Sequence, residues 1–218
     1  MGSLRGESLL RFGASKPVSK TLNFYIIDMT KVTPPAGDSR PSDNVAKLKS
    51  GAVLLARDMS DPNFQATVVL ICQHSAEGSY GLVLNRPSHM PLSEIFDKPM
   101  AWAGDVGRRQ KVYIGGPVQP EELQILQVTQ EPVPGSICVT PEVYLGGDWS
   151  EQEGVLDADT QSLRMFLGYS GWGPRQLAQE VEAQAWEIWT LNVKALLLAP
   201  ESIWQGAPGP LRTFLASL

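Results

Sequence analysis

The one close pairing of cysteine with histidine in this sequence is Cys72-Gln73-His74. In an extended strand, residues two apart share a face, so a thiol and an imidazole would stand side by side there. A neighbouring imidazolium favours thiolate, the nucleophilic and oxidisable form of cysteine, and Arg86 further along would add to that field. The chemistry implied is that of a thiol-based redox enzyme or sensor, which lacks an evident resolving thiol unless Cys138 is close in space. Packing is the competing account. Cysteine behaves as a small hydrophobe, and Val68 and Leu70 fall on the same strand face as Cys72.

A second candidate is Ser170, in Gly168-Tyr169-Ser170-Gly171-Trp172-Gly173. A serine between a strand and a helix is the setting of a nucleophile elbow. The G-x-S-x-G form fails here at Trp172, and both histidines, His74 and His89, precede Ser170 where that fold needs one after it. The hydrolase reading is therefore set aside, and the glycines are read as permitting a tight turn packed against neighbouring backbone. The helix after this turn would offer free N–H groups to an anion, with Arg175 the nearest cation, but Pro174 removes one donor and no Walker lysine is present. Gly115-Gly116-Pro117, at the end of a short strand, would bring backbone close to a ligand or simply turn the chain. Trp172, Trp186, Trp189 and Trp204 crowd the C-terminal half, as core anchors or, if exposed, as an interface.

Composition narrows the partners. Two cysteines and two histidines without a C-x-x-C pair make no Cys/His zinc site, and no metal or cofactor is expected. A net charge of −5 without a basic stripe disfavours nucleic acid. No apolar run approaches the roughly 20 residues of a membrane-spanning helix. Cysteine usage suits a reducing, cytoplasmic setting. The first 20 residues carry Arg5, Arg11, Lys16 and Lys20 against Glu7, with several serines, which is also the composition of an organelle transit peptide.

These residues need elements to position them. Residues 33–44 are rich in Pro, Gly, Ser and Asp and read as an irregular, mobile linker, so the chain divides into an extension over 1–44 and a domain over 45–218. The apolar run 22–27 would pack on as an added element. Strands are expected at 52–56, 67–74, 80–85, 112–114, 123–128, 137–139 and 163–169. The second and third should form a hairpin around Glu77-Gly78. The clearest helix spans 174–186, opened by Pro174, with Leu177, Val181 and Ala185 on its buried stripe and Glu180 and Glu182 off it. Residues 187–191 and 195–198 read as closing strands or a strand and a turn, 91–96 as a helical turn and 210–218 as a short terminal helix. Strands dominate, which argues for an α+β fold.

Five blocks recur in a telling order: Ser60-Asp61-Pro62-Asn63-Phe64; 67–74; Gly81-Leu82-Val83-Leu84-Asn85-Arg86-Pro87; Gly115-Gly116-Pro117-Val118; and Leu167-Gly168-Tyr169-Ser170-Gly171-Trp172. Together they resemble the AlgH/YqgE family of bacterial proteins over roughly 45–204. The resemblance implies a single α+β domain with a bent, barrel-like mixed sheet flanked by a few helices. It implies no agreed biochemical activity, and some members carry a transcriptional-regulator label. Without a nucleic-acid signature, that label suits indirect regulation through a protein or small-molecule partner. The expectation is therefore a non-enzymatic domain binding such a partner across a cleft of three turn-rich segments. Its residues would be Asn85, Arg86, Pro87, Gly115, Gly116, Pro117, Tyr169 and Trp172. The alternative is the redox enzyme or sensor built on Cys72 and His74.

Overall fold

The computed structural model describes residues 44–57, 61–89, 111–148 and 163–199. The expectations for 1–43, 91–96, Trp204 and 210–218 lie outside those residues. The described chain forms nine strands: β1 Val53–Ala56, β2 Val68–Ser75, β3 Gly78–Val83, β4 Val112–Ile114, β5 Val118–Val128, β6 Ser136–Thr140, β7 Val143–Gly146, β8 Leu163–Trp172 and β9 Trp186–Trp189. Two short helices come after β8, α1 Gln176–Glu182 and α2 Val193–Leu197.

All nine strands join one sheet in the order β6-β7-β5-β8-β3-β2-β1-β9, with β4 beside β8. Pairing is antiparallel except between β4 and β8. The sheet is thus α+β and mixed, as expected, but it is open rather than closed into a barrel. Strands β6 and β9 are its two edges. It bends, so that Thr140 at the β6 end lies against Gly51 just before β1.

The two-sided apolar pattern of β1 and β2 arises from cover on both faces. On one face Val53, Leu55, Val68, Leu70, Leu82 and Phe166 pack with Val193, Leu196 and Leu197 of α2. On the other, Leu54, Val69, Ile71 and Val83 pack with Phe64, Trp172, Trp186 and α1. The expected hairpin is present, β2 against β3 through the turn residues Ala76 and Glu77. Asn192 caps α2 by accepting from the Ala195 amide at 3.0 Å.

Several local expectations are corrected. Helix α1 runs only from Gln176 to Glu182, and Pro174 lies before it, because Arg175 at the N-cap takes a left-handed φ of 61°. The helix stops when Gln184 turns left-handed at φ 62°. The Gln184 amide then donates to Val181 O, and Ala185 to Glu180 O, a Schellman closure made without glycine. Trp186 and Trp189 consequently share strand β9 instead of straddling a helix end. Residues 195–198 belong mostly to α2 rather than to a strand. Strand β8 continues through Ser170 and Gly171 to Trp172, so Gly171 pairs with Tyr80 and is not a turn residue. Glu180, placed off the apolar stripe, is buried.

Candidate functional site

The first sequence candidate comes apart in the structure. Strand β2 pairs Ile71 with Gly81 and Gln73 with Tyr80, leaving Cys72 as the extra residue of a β-bulge. A bulge interrupts the alternation of faces and re-aims the side chains beyond it. Cys72 joins the core with Leu70 and Leu82, while His74 turns to the opposite face and pairs with Ser79. The thiol is fully buried and directed at Leu70 O, 3.7 Å away. Burial pushes its pKa far up, the reverse of thiolate activation. Cys138 is exposed on edge strand β6, and both thiols are free.

The three turn-rich segments do come together. Val83 N donates to Gly115 O at 2.8 Å, Gly115 N to Leu167 O at 2.8 Å, and Ile114 N to Arg86 O at 2.7 Å. Their own backbone fills the space between them. A Cβ on Gly116 would run into the Tyr169 carbonyl and the Ser170 amide, and one on Gly168, at φ 65°, into the carbonyls of Gly116 and Val118. Only glycine allows this approach. Ser170 is buried and donates to Gly115 O at 3.1 Å, a further tie across the same junction. Tyr169 is stacked on Tyr80 with ring centroids 4.5 Å apart. Pro87 is exposed and Pro117 partly so.

Asn85 and Arg86 act as clamps. Asn85 accepts from Val68 N at 2.8 Å and donates to Ala66 O at 2.9 Å. Arg86 donates through one guanidinium nitrogen to Asn63 O at 2.9 Å and through the other to Pro62 O at 3.1 Å. Together they hold the 61–66 loop, and that loop delivers Phe64 into the core. Phe64 packs on Trp172 and Trp186 at centroid distances of 6.0 and 5.5 Å. Beneath these rings lies a feature the sequence pattern did not reveal. One oxygen of Glu180, Oε2, accepts from both indoles, Trp172 Nε1 at 2.9 Å and Trp186 Nε1 at 2.8 Å. Its other oxygen accepts from Gln176 Nε2 at 3.0 Å. Burial raises the carboxyl's pKa, and the three donors and Asp61 modify that effect. The available signal was that Glu180 lies three residues after Leu177, at the border of the apolar stripe.

An open depression of about 370 Å³ lies where the β2–β3 hairpin meets α1. His74, Ser75 and Ala76 line it from β2 and the turn, Gly78 and Ser79 from β3, Gly173 and Arg175 from the β8–α1 connection, and Leu177 and Ala178 from α1. The His74 ring stands with Nδ1 2.7 Å from the buried Ser79 hydroxyl. Partial burial lowers its pKa, so the ring is neutral at neutral pH. Arg175 is exposed and has no carboxylate partner among the described residues. Of these residues, the sequence marks His74, as a partner for Cys72, and Arg175, as a lone cation, for chemistry, and Gly78, Gly173 and Leu177 for turns and packing. Among the described residues there is no group of three or more His, Cys, Asp or Glu side chains able to hold a metal ion. No helix among them is long and apolar enough to cross a membrane.

The profile of the AlgH-like family matches residues 52–211. A UPF0301 protein of Cytophaga hutchinsonii is 31% identical over 166 residues, 72% of this chain and 87% of the relative. A UPF0301 protein of Myxococcus xanthus is 34% identical over 158 residues, again 72% and 87% of the two chains. The solution structure of the AlgH protein from Pseudomonas aeruginosa superposes with a TM-score of 0.55 at 24% identity, over 85% of this chain and 91% of that one. A crystal structure of a Corynebacterium diphtheriae protein has the same TM-score of 0.55 and 24% identity, over 75% of this chain and 91% of that one. At such identity the structural likeness speaks to the fold alone, and the UPF0301 name assigns no activity. The matched stretch holds all the motif blocks that build the junction, the clamps and the tryptophan cluster: this chain belongs to the AlgH-like family.

Proposed function

We propose that the domain is a non-enzymatic binding module whose recognition surface is the depression between the β2–β3 hairpin and α1. One observation carries this reading: an open concavity joins an uncompensated guanidinium and an imidazole to an apolar floor of Leu177 and Ala178. Such a mixture of apolar lining and a few placed polar groups is what small-ligand and peptide sites use. The Asn85–Arg86–Pro87, Gly115–Gly116–Pro117 and Tyr169–Trp172 segments then serve as its scaffold. Binding a protein or small molecule there suits indirect regulation in the cytoplasm, with 45–218 as the working unit and 1–44 as an extension. Titrating the ¹⁵N-labelled protein with a panel of small metabolites tests it. Shifts clustered on 74–79 and 173–178 support the site, and shifts clustered instead on 85–87 and 115–117 move it to the junction.

The 2.7 Å contact between Ser79 and His74 favours one second reading, a serine nucleophile. Against it, Ser79 is buried, and no described group orients the far ring nitrogen as a triad requires. Covalent labelling of Ser79 by a fluorophosphonate would reinstate it.

A further inference from the structure

We infer that this depression takes a ligand with a single carboxylate head and a short apolar body, the head on Arg175 and His74 and the body on Leu177 and Ala178. The inference rests on the proposed site and names what fills it. Three observations converge on that class.

The first is the sign of the lining. The chain carries 23 acidic residues against 18 basic ones. Among the described residues, the depression nevertheless contains Arg175 and His74 and no Asp or Glu. The nearby acid Glu77 is held in its own turn, where Ser75 Oγ donates to it at 2.7 Å. An unpaired guanidinium with a fork of donors fits a carboxylate.

The second is the state of His74. In the tautomer in which the Ser79 hydroxyl donates to Nδ1, the neutral ring carries its proton on Nε2. That nitrogen has no partner among the described residues. In that tautomer the hairpin places a neutral donor beside Arg175, the one cation among the described lining residues. One positive charge and one neutral donor match a monoanion better than a dianionic phosphate, which would keep an unbalanced charge.

The third is size and floor. About 370 Å³ lies at the small end of ligand sites, which run from roughly 300 to 1,000 Å³. Leu177 is buried in the core below, and half-buried Ala178 beside it supplies the accessible apolar surface. A short hydrocarbon or one aliphatic side chain fits there. Two sources share this chemistry, a free short-chain carboxylate and the C-terminal carboxylate of a peptide ending in an aliphatic residue.

The experiment tracks amide shifts of the full chain on adding hexanoate, hexanamide, acetate, inorganic phosphate, an acetylated tripeptide ending in leucine, and its C-terminal amide. Hexanoate or the free-acid tripeptide should move residues 74–79 and 173–178, with the amides, acetate and phosphate at least about tenfold weaker. Whichever of the two binds tighter identifies the source. Arg175→Asn removes the guanidinium and keeps a residue type that tolerates left-handed backbone. It should weaken binding about tenfold with an unchanged melt, while Arg175→Lys retains part of the affinity. Equal binding of hexanamide, or unaltered affinity in Arg175→Asn, overturns the carboxylate assignment. If only neutral or cationic compounds move these residues, the site survives and its ligand class falls. If neither these probes nor the metabolite panel moves them, both readings fall.

Discussion

Replacing Glu180 tests whether its buried carboxylate is the hub that joins the 61–66 loop, β8, α1 and β9. Glu180→Ala leaves two buried indole N–H groups and the Gln176 amide without their acceptor. Each buried unpaired donor costs about 1–3 kcal/mol, and relief of a desolvated charge offsets part of that. The expected loss is roughly 2–5 kcal/mol. Glu180→Gln keeps a carbonyl oxygen with two lone pairs for the two indoles. Its new amide nitrogen faces the Gln176 amide, which must turn and give up its 3.0 Å bond from Gly173 N. That exchange should cost no more than about 1.5 kcal/mol. The pH dependence separates the two effects. Glu180's pKa is raised from its ordinary 4.5. The folded state therefore binds this proton more tightly, and the associated stability is fully present below pH 4.5 and is lost as pH rises through the folded pKa. His74, lowered from 6.5, acts in the opposite sense: its contribution is lost as pH falls below 6.5. The difference between wild type and Glu180→Gln cancels His74 and isolates Glu180. Urea melts monitored by tryptophan fluorescence at pH 4.5 and pH 8 measure it, and wild type should lose stability relative to Glu180→Gln between the two. A loss under about 1 kcal/mol in Glu180→Ala would refute the hub, and an identical pH slope in both proteins would refute the raised pKa.

Cys72 should react with a thiol reagent only on unfolding, whereas Cys138 should react in the native protein, and fast native labelling of Cys72 at mildly acidic pH would revive the redox reading. Arg86→Lys should cost about 1–2 kcal/mol and speed amide exchange across 61–66, because an ammonium cannot span the Pro62 and Asn63 carbonyls as the guanidinium does, and unchanged exchange would mean the clamp is idle. Gly116→Ala should destabilise by roughly 3 kcal/mol or more, since its Cβ meets backbone that cannot move aside, and a near-neutral melt would contradict the packed junction. Ser170→Ala should cost only about 1 kcal/mol, the value of its bond to Gly115 O, with a larger loss pointing to a further role.

Pattern along the chain was enough for the strands, the hairpin, the α+β class and the family. Those signals are local: alternating or two-sided apolar runs such as Val68–Ile71, turn residues at fixed offsets, and ordered motif blocks. Pattern also marked Asn85, Arg86, Gly115, Gly116, Tyr169 and Trp172 as special without saying why. Their hydrogen bonds and close approaches reach partners up to 55 residues away, as from Ser170 to Gly115, and spacing along the chain does not record these. The remainder depended on contacts between distant segments. Whether Cys72 and His74 share a face depended on a bulge set by pairing with β3. Where α1 ends depended on Gln184 accepting a left-handed conformation that glycine usually marks. Glu180 looked like a solvent-facing acid, but two indoles from strands β8 and β9 surround it with donors, and a buried charge is stable only where such donors converge.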